Sequence, residues 1–301
     1  MSDKRHTRNS KATGKTGRRS GFTLIELLAV IAIIGIIAAL TVPVLKNFGK
    51  SDVTVSASRQ LLDDVGRARQ LAMSQRTTVY MVFVPTNFWI NQGNGKDLFS
   101  SGALGDSNNT NVLFSLLGMQ LTGYTFMADG AVGDQPGNHQ WHYLASWQSL
   151  PDGAYIPLWK FYNSRVSFNF NDPVNSSIFF NINAFPTNAF PFPAQDETNN
   201  YMLLPYIAFN YLGQLATVSG QLFVPQPQSG LGDLDFTGGG VDIPLVQGSL
   251  LNAKDPTTRQ LSIGSPQVIE MPPGNSTNIS YNVVHIDPLT GRATLEYHKL
   301  Q

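Results

Sequence analysis

Few side chains in this sequence are spaced for chemistry of their own. His139 and His142 lie three residues apart and could share a metal ion, but no carboxylate or third histidine is placed nearby, which favours loop histidines. Asp233 and Asp235 are typical of a calcium loop, although their spacing does not complete an EF-hand. The GKT at 14–16 lacks the leading glycine of a phosphate-binding loop. We therefore expect no enzyme activity and no cofactor and assign no metal site, while calcium binding stays open.

One ionisable residue is notable for its surroundings. Glu26 is the single charged residue in the apolar stretch 22–45. As a helix with a rise of about 1.5 Å per residue, this stretch extends about 36 Å, which is enough for a hydrocarbon core of about 30 Å. An ionisable group within such a segment is costly and usually has a partner. The alternative is that the carboxylate reaches the nearby interface, because it lies close to the start of the stretch.

The composition excludes several classes of protein. The chain has 301 residues, of which 13% are charged, about half the usual share of about 25%. Twenty basic residues balance twenty acidic ones, which excludes a generally basic nucleic-acid binder. The absence of cysteine excludes disulfides, thiolate metal sites, iron–sulfur clusters and cysteine catalysis.

The neutral sum hides a charge asymmetry. Residues 1–21 carry seven basic side chains and one acidic side chain, a net charge of +6. Residues 22–301 carry the other thirteen basic and nineteen acidic side chains, a net charge of −6. A basic flank before an apolar stretch predicts that the N-terminus stays in the cytoplasm and the body is exported.

Two common export signals fit the first residues incompletely. A secretory signal peptide has a basic region followed by an apolar region, but a carboxylate such as Glu26 near the start of the apolar region weakens insertion. A twin-arginine signal would use Arg18 and Arg19, with an aromatic residue one position after the pair. In this chain both Ser20 and Gly21 stand between the pair and the next aromatic residue.

Residues 21–45, GFTLIELLAVIAIIGIIAALTVPVL, resemble the N-terminus of a type IV prepilin or a type II secretion pseudopilin. In that family a membrane peptidase cuts after the glycine and methylates the new amino terminus. The resemblance implies a cut between Gly21 and Phe22, with methylation at Phe22. It also implies that Glu26 guides assembly and that Pro43 kinks the helix.

The same resemblance implies a cellular role. The chain would be a structural subunit of a type IV pilus or type II secretion pseudopilus, a single-pass inner-membrane protein with its head on the periplasmic side. Its partners would be prepilin peptidase, other pilin or pseudopilin subunits, the inner-membrane assembly platform and membrane lipid. After cleavage, the amine of Phe22 would lie four residues from Glu26. The carboxylate could then neutralise its own terminus or that of a neighbouring subunit.

The chain divides on this interpretation into a leader at 1–21, an apolar transmembrane or filament-core helix at 22–45, an amphipathic continuation at 46–76 and a β-rich head at 77–301. The continuation is predicted because apolar residues recur at three- and four-residue steps. These residues are Val55, Leu61, Leu62, Val65, Ala68, Leu71 and Ala72.

The head is predicted to be an antiparallel sheet with large insertions, which makes the fold class α+β. TTVYMVFVP at 77–85 indicates the first strand. VVHIDPLTGRATL at 283–295 indicates a hairpin that turns through Pro288 to Gly291. Insertions are expected at about 86–164 and at 183–200, the latter as a loop because it holds three prolines and shows no periodicity. Further strands are predicted at 165–171, 177–182, 201–210, 214–224, 241–247, 266–271, 279–287 and 292–299.

The region RQLLDDVGRARQLAMSQRTTV, at 59–79, resembles the segment before the first strand of FimT/GspH-like minor pseudopilins. A head as large as 77–301 also favours a minor, low-copy subunit over the main shaft protein. Aromatic residues cluster between Trp141 and Tyr162, and we expect them to form the core of an insertion rather than a contact surface. The alternative function is a membrane-anchored or exported binding or catalytic domain that uses 22–45 only as an anchor or signal.

Overall fold

The computed structural model describes residues 24–90, 97–99, 107–134, 140–161, 166–170, 178–182, 184–195, 200–216, 240–276 and 282–297. The chain divides into two units, Met1–Phe48 and Gly49–Gln301. Helix α1, Leu24–Gln75, begins in the first unit and ends in the second. Within the described residues, an N-terminal helix therefore precedes a body rich in antiparallel strands, which confirms the α+β class.

Among its described residues, the second unit contains one further α-helix, α2, at Ser107–Leu116. Its strands in chain order are β1 Val79–Phe83, β2 Gly123–Asp129, β3 Trp141–Tyr143, β4 Gln148–Ser149, β5 Ala154–Tyr155, β6 Val166–Phe170, β7 Ile178–Ile182, β8 Thr187–Pro191, β9 Tyr201–Phe209, β10 Leu215–Ala216, β11 Val241–Leu251, β12 Gln267–Glu270, β13 Asn282–Ile286 and β14 Ala293–Tyr297.

The strands of the described chain form three antiparallel sheets. The largest has the order β10-β9-β1-β2-β3, with β4 also on β2 and β8 also on β9. The second has the order β12-β11-β13-β14, with β5 also on β11, and the third is the hairpin β6-β7. β1 therefore lies at the centre of the largest sheet, with β9 on one side and β2 on the other.

The second half of α1 packs on the largest sheet. Ala57, Leu61, Val65, Ala68 and Ala72 are fully buried and recur at steps of three and four residues, so they share one face of the helix. They belong to the same core as alternate residues of β1 and β2. These buried positions follow the three- and four-residue steps on which the prediction for 46–76 is based.

The opposite face of the largest sheet is covered by the inserted segments. Leu113 and Leu116 of α2 are fully buried in this second core. Tyr80 of β1 packs edge-to-face on aromatic rings at centroid distances of 5.2 Å (Trp141) and 5.4 Å (Phe190). β1 is buried on both faces, which explains why its sequence, VYMVF, is apolar throughout rather than alternating.

Two expectations for the insertions require correction. The segment 86–164 contains β2, which pairs with β1 over its whole length and is a central strand. The predicted loop at 183–200 was wrong for Thr187–Pro191, because β8 pairs there with β9. β8 pairs with β9 alone among the described strands, and Pro191 ends it. An edge position tolerates proline, which cannot donate a backbone hydrogen bond.

The strands predicted in the C-terminal part are confirmed where the structure describes them. The hairpin β13-β14 turns at Asp287–Arg292 as predicted, with the Gly291 amide donating to the Asp287 carbonyl at 2.8 Å. β10 begins inside the predicted strand 214–224, of which residues 217–224 lie outside the described residues. β11 runs four residues beyond the predicted end of its strand, to Leu251.

Candidate functional site

Glu26 is the first predicted site residue along the chain that the structure describes. Glu26 lies in the first turn of the helix, which begins at Leu24. Gly21 and Phe22, the predicted processing residues, lie outside the described residues.

The side chains that follow Glu26 are exposed and apolar around the whole helix. Leu24 is 83% exposed and Ile31 is 60% exposed. A further six large apolar residues of residues 24–35, here called the apolar segment, are also exposed: Ile25, Leu27, Leu28, Val30, Ile33 and Ile34. Because they point in all directions, they do not form the stripe by which a helix covers one sheet. A helix that is apolar on every side is normally buried in an apolar environment.

A membrane span is not confirmed. Within the residues that the structure describes, no helix combines the length and the apolar character that crossing a membrane requires.

Pro43 lies inside α1, whose helical assignment continues across it from Leu24 to Gln75. The predicted kink at Pro43 is not tested by this assignment and stays a prediction.

Polar side chains of α1 attach its second half to the head. The Tyr124 hydroxyl donates to the carboxylate of Asp64, and Gln60 Nε2 donates to the same hydroxyl at 2.8 Å. Burial and the Asp64 carboxylate together raise the pKa of Tyr124, so it remains a donor at neutral pH. Arg69 Nε donates to the carbonyls of Gly213, at 3.2 Å, and Thr290, at 2.8 Å. A single arginine therefore fixes two β-turns to the helix.

The histidines of the head pair with carboxylates. His142 Nε2 lies 2.9 Å from Asp134 Oδ2, a carboxylate that the sequence spacing of the 139–142 pair did not include. The Ala131 amide and His142 lower the pKa of Asp134. Asp134 is eight residues from His142 in the sequence, and the β2-β3 hairpin brings the two together. His139 lies outside the described residues.

A second charged cluster lies beside the five-stranded sheet. His285 Nδ1 and Asp242 Oδ1 are 2.8 Å apart across the β11-β13 pair, and this carboxylate raises the pKa of His285. Lys160 is buried nearby with its ammonium group over the Phe185 ring, and burial lowers the pKa of Lys160 to about 8.

Metal-binding chemistry has no support in the described part of the chain. It contains no group of three histidine, aspartate or glutamate side chains that could hold a metal ion. The predicted calcium-loop residues Asp233 and Asp235 lie outside the described residues.

Comparison with known proteins identifies the N-terminal region. Residues 16–42 match the family model described as the prokaryotic N-terminal methylation motif. This match supports the prepilin-type family and contains Gly21, Phe22 and Glu26. No curated protein and no solved structure matches the chain. The matched region covers less than a tenth of the 301 residues, so it describes the processing segment rather than the head.

Proposed function

We propose that this protein is a structural subunit of a type IV pilus or a type II secretion pseudopilus, and that it is made as a prepilin. Prepilin peptidase would cut after Gly21 and methylate the amine of Phe22. The observation that carries the proposal is the methylation motif at 16–42, which coincides with a helix start that is apolar on every side. A subunit whose first helix turns are buried only after assembly would have this exposed surface.

Cleavage would change the net charge at the N-terminal end of the apolar segment, close to Glu26. Removal of residues 1–21 takes away a net charge of +6 and leaves a cationic amine at Phe22. Glu26 lies four residues further along, one turn of a helix away. Pairing between this amine and the Glu26 carboxylate of a neighbouring subunit would neutralise both charges in an apolar surrounding and favour one axial register.

The apolar segment would lie in the inner membrane before assembly and in the filament core afterwards, with the head on the periplasmic side. In both places it would contact apolar neighbours, lipid first and other subunits later. Pro43 would let the helix bend between the part that enters the core and the part that is attached to its own head. The inner-membrane assembly platform would extract the processed chain from the bilayer.

The head favours a minor, low-copy position in the filament. Its sheets and insertions occupy most of the chain, and a head of this size at every position would need space on the filament surface. The order of α1, a single turn and then β1 is also that of the FimT/GspH-like minor pseudopilins that the sequence resembles.

Processing can be tested at the cleavage glycine. Gly21→Leu should abolish the loss of the leader when the chain is co-expressed with a prepilin peptidase, because the enzyme requires glycine before the cut. Gly17→Leu is the matched control, since it changes another leader glycine and should be processed like the wild type. Cleavage of Gly21→Leu at the wild-type rate would contradict the proposal. It would favour the alternative of a membrane-anchored binding or catalytic domain, which has no need of that glycine.

A further inference from the structure

The head contains a polar cavity of about 340 Å³, which shares no residue with the two charged clusters. Residues from three segments line it: 118–122, which precedes β2, 152–154, which leads into β5, and 248–252, at the end of β11. Its volume lies within the range of about 300–1,000 Å³ typical of ligand pockets. The cavity is therefore large enough for a small organic group.

Backbone hydrogen bonds join the three segments to one another. The Leu150 amide donates to the Thr122 carbonyl at 3.0 Å, which connects the first segment to the chain just before the second. The Gly248 amide donates to the Gly153 carbonyl, also at 3.0 Å, which connects the second segment to the third. The walls of the cavity are therefore in place before any ligand binds, as a specific site requires.

Two glycines bring the second and third segments together. Gly153 has a φ angle of +97°, a conformation that residues with a side chain rarely adopt. A Cβ atom at Gly248 would lie 2.5 Å from the Ile269 carbonyl oxygen and 2.8 Å from the Tyr155 ring, so a larger residue does not fit there. Glycine at both positions therefore permits the hydrogen bond that joins these two walls.

The side chains that line the cavity offer more hydrogen-bond acceptors than donors. Asp152 is the one charged residue among them, and its carboxylate only accepts. The Thr122 hydroxyl donates to the Met119 carbonyl at 3.2 Å, so it can only accept from a ligand. The Asp152 carboxylate, the Ser249 hydroxyl and the Asn252 amide take part in no hydrogen bond within the described part of the chain. Each of the three walls therefore presents an acceptor to a ligand.

This lining disfavours several classes of ligand. An anion such as phosphate would meet the Asp152 carboxylate and no cation among the lining residues. Calcium takes about six to eight oxygen ligands, usually with several carboxylates among them, and Asp152 belongs to no group of three acidic or histidine side chains in the described chain. A ligand that is held by stacking finds no aromatic ring among the lining residues. An organic cation with several hydrogen-bond donors fits better than any of these.

We propose that this cavity binds a guanidinium group, carried by a free arginine-like molecule or by an arginine side chain of a partner protein. A guanidinium is always charged and presents several N–H donors in one plane, which matches acceptors on three walls. Its hydrogen bond to Asp152 would be charge-assisted and therefore stronger than a neutral one. Ala154 and Leu250 also line the cavity and would contact the methylene groups of the arginine. A lysine ammonium has fewer donors, and they radiate from a single atom.

The site uses residues of the head alone and does not depend on cleavage after Gly21. The N-terminus of each sample used below is therefore read by mass. Binding by an uncut chain would support this inference while contradicting the proposed processing. A cut chain that does not bind would do the opposite.

Saturation-transfer NMR of the full-length chain in detergent solution tests the site through the signals of the ligand. Ethylguanidinium should bind, and ethylurea, which has nearly the same shape without the charge, should not. Asp152→Asn should weaken the affinity for ethylguanidinium about tenfold, which corresponds to about 1.4 kcal/mol. Asp63→Asn is the matched control, since it changes an exposed acid on α1 outside the cavity and should bind like the wild type. Equal binding of ethylurea, or unchanged binding by Asp152→Asn, would overturn the proposal.

Three further measurements separate other outcomes. Ser249→Phe should abolish binding, because it places a large side chain at an exposed position in the cavity wall, and unchanged binding would contradict the assigned location. Displacement of ethylguanidinium by an equal concentration of calcium chloride would assign the cavity to a metal ion and overturn the proposal. Tighter binding of arginine within a short uncharged peptide than of free arginine would support a partner protein as the source of the guanidinium. The reverse order would support a small molecule.

Discussion

Both ends of α1 carry apolar side chains, which are exposed at the first end and buried at the second. In the apolar segment, large side chains such as Leu27 are exposed on every side of the helix, at 60% in this case. Between Ala57 and Ala72, the apolar residues form one stripe that is fully buried against the sheet. The apolar side chains at the second end are buried by the sheet of the same chain. Those at the first end have no such cover among the described residues. Changes at the second end should therefore alter folding, and changes at the first should alter assembly.

The largest expected difference comes from removing one leucine at each end. Leu61→Ala should lower the free energy of unfolding of the head by about 2–5 kcal/mol, because it leaves a cavity in a fully buried position. Leu27→Ala should change it by less than about 0.5 kcal/mol. Chemical unfolding of the full chain in detergent, followed by the tryptophan fluorescence of the head, measures both. Equal losses from the two variants would remove the distinction between the ends.

A change at Glu26 tests whether the exposed end of α1 acts in assembly rather than in folding. Glu26→Ala should strongly reduce incorporation into filaments, because the terminal amine would lose the carboxylate that neutralises it. The stability of the head should not change. Incorporation is measured by the amount of the protein in sheared or purified filaments. Asp63→Ala is the control, since Asp63 is an exposed acid on the same helix outside the apolar segment. Normal incorporation of Glu26→Ala would contradict the assembly role.

Arg69 tests the attachment at the buried end. Arg69→Ala should lower the free energy of unfolding of the head by about 1–3 kcal/mol, since two carbonyls lose a charged donor. Arg59→Ala removes an exposed arginine from the same helix and provides the comparison. An Arg69→Ala variant that is as stable as Arg59→Ala would show that the attachment lies elsewhere.

The smallest expected effect is a dependence of head stability on pH. Because Asp242 raises the pKa of His285 in the folded state, the pair stabilises the head fully below the unfolded pKa of about 6.5. This stability is lost as the pH rises through the higher folded pKa. Lys160, Glu296 and Asp287 are the other charges that act here; the two carboxylates also favour protonated His285. The loss should be on the order of 1 kcal/mol.

The pH effect is measured as the free energy of unfolding between pH 5.5 and pH 7.5. Lys160, with a pKa of about 8, begins to titrate at the upper end of this range, so the wild type and the His285→Gln variant are compared over the same range. His285→Gln should remove this part of the slope. If the slope stays unchanged in that variant, the pair does not contribute to the stability of the head.

The sequence predicts the elements whose pattern is local. The periodic residues from Leu61 to Ala72 predict the helix, and the apolar run at 79–83 predicts β1, because burial follows directly from these patterns. The sequence does not assign β2, GYTFMAD, because it lies between a stretch dense in Asn, Gly, Ser and Asp at 91–111 and one with recurring glycine and proline at 130–157. The sequence predicts a loop over β8, because Pro186, Pro191 and Pro193 are unfavourable inside a central strand. Pro191 is tolerated because β8 pairs with β9 alone among the described strands.

In the candidate site, only residues that stand out by their type could be predicted from the sequence. Glu26 stands out because a charge in an apolar stretch is rare. The contact of Arg69 with Gly213 and Thr290 could not be predicted, because both acceptors are backbone carbonyls more than 140 residues away. The proximity of the β9-β10 turn to the β13-β14 turn has the same origin. It depends on how the strands are ordered in the sheets, and no local pattern contains that information.

The most direct test of the account is the intact mass and the N-terminal sequence of the protein from the membrane fraction. We predict a chain that begins at Phe22 and carries the mass of one added methyl group. That result would establish prepilin processing. A chain that begins near Met1 would contradict it and indicate a plain signal anchor. A chain that begins beyond Ala39 would contradict it as well, because it would indicate a conventional signal peptide and place the function in the head alone.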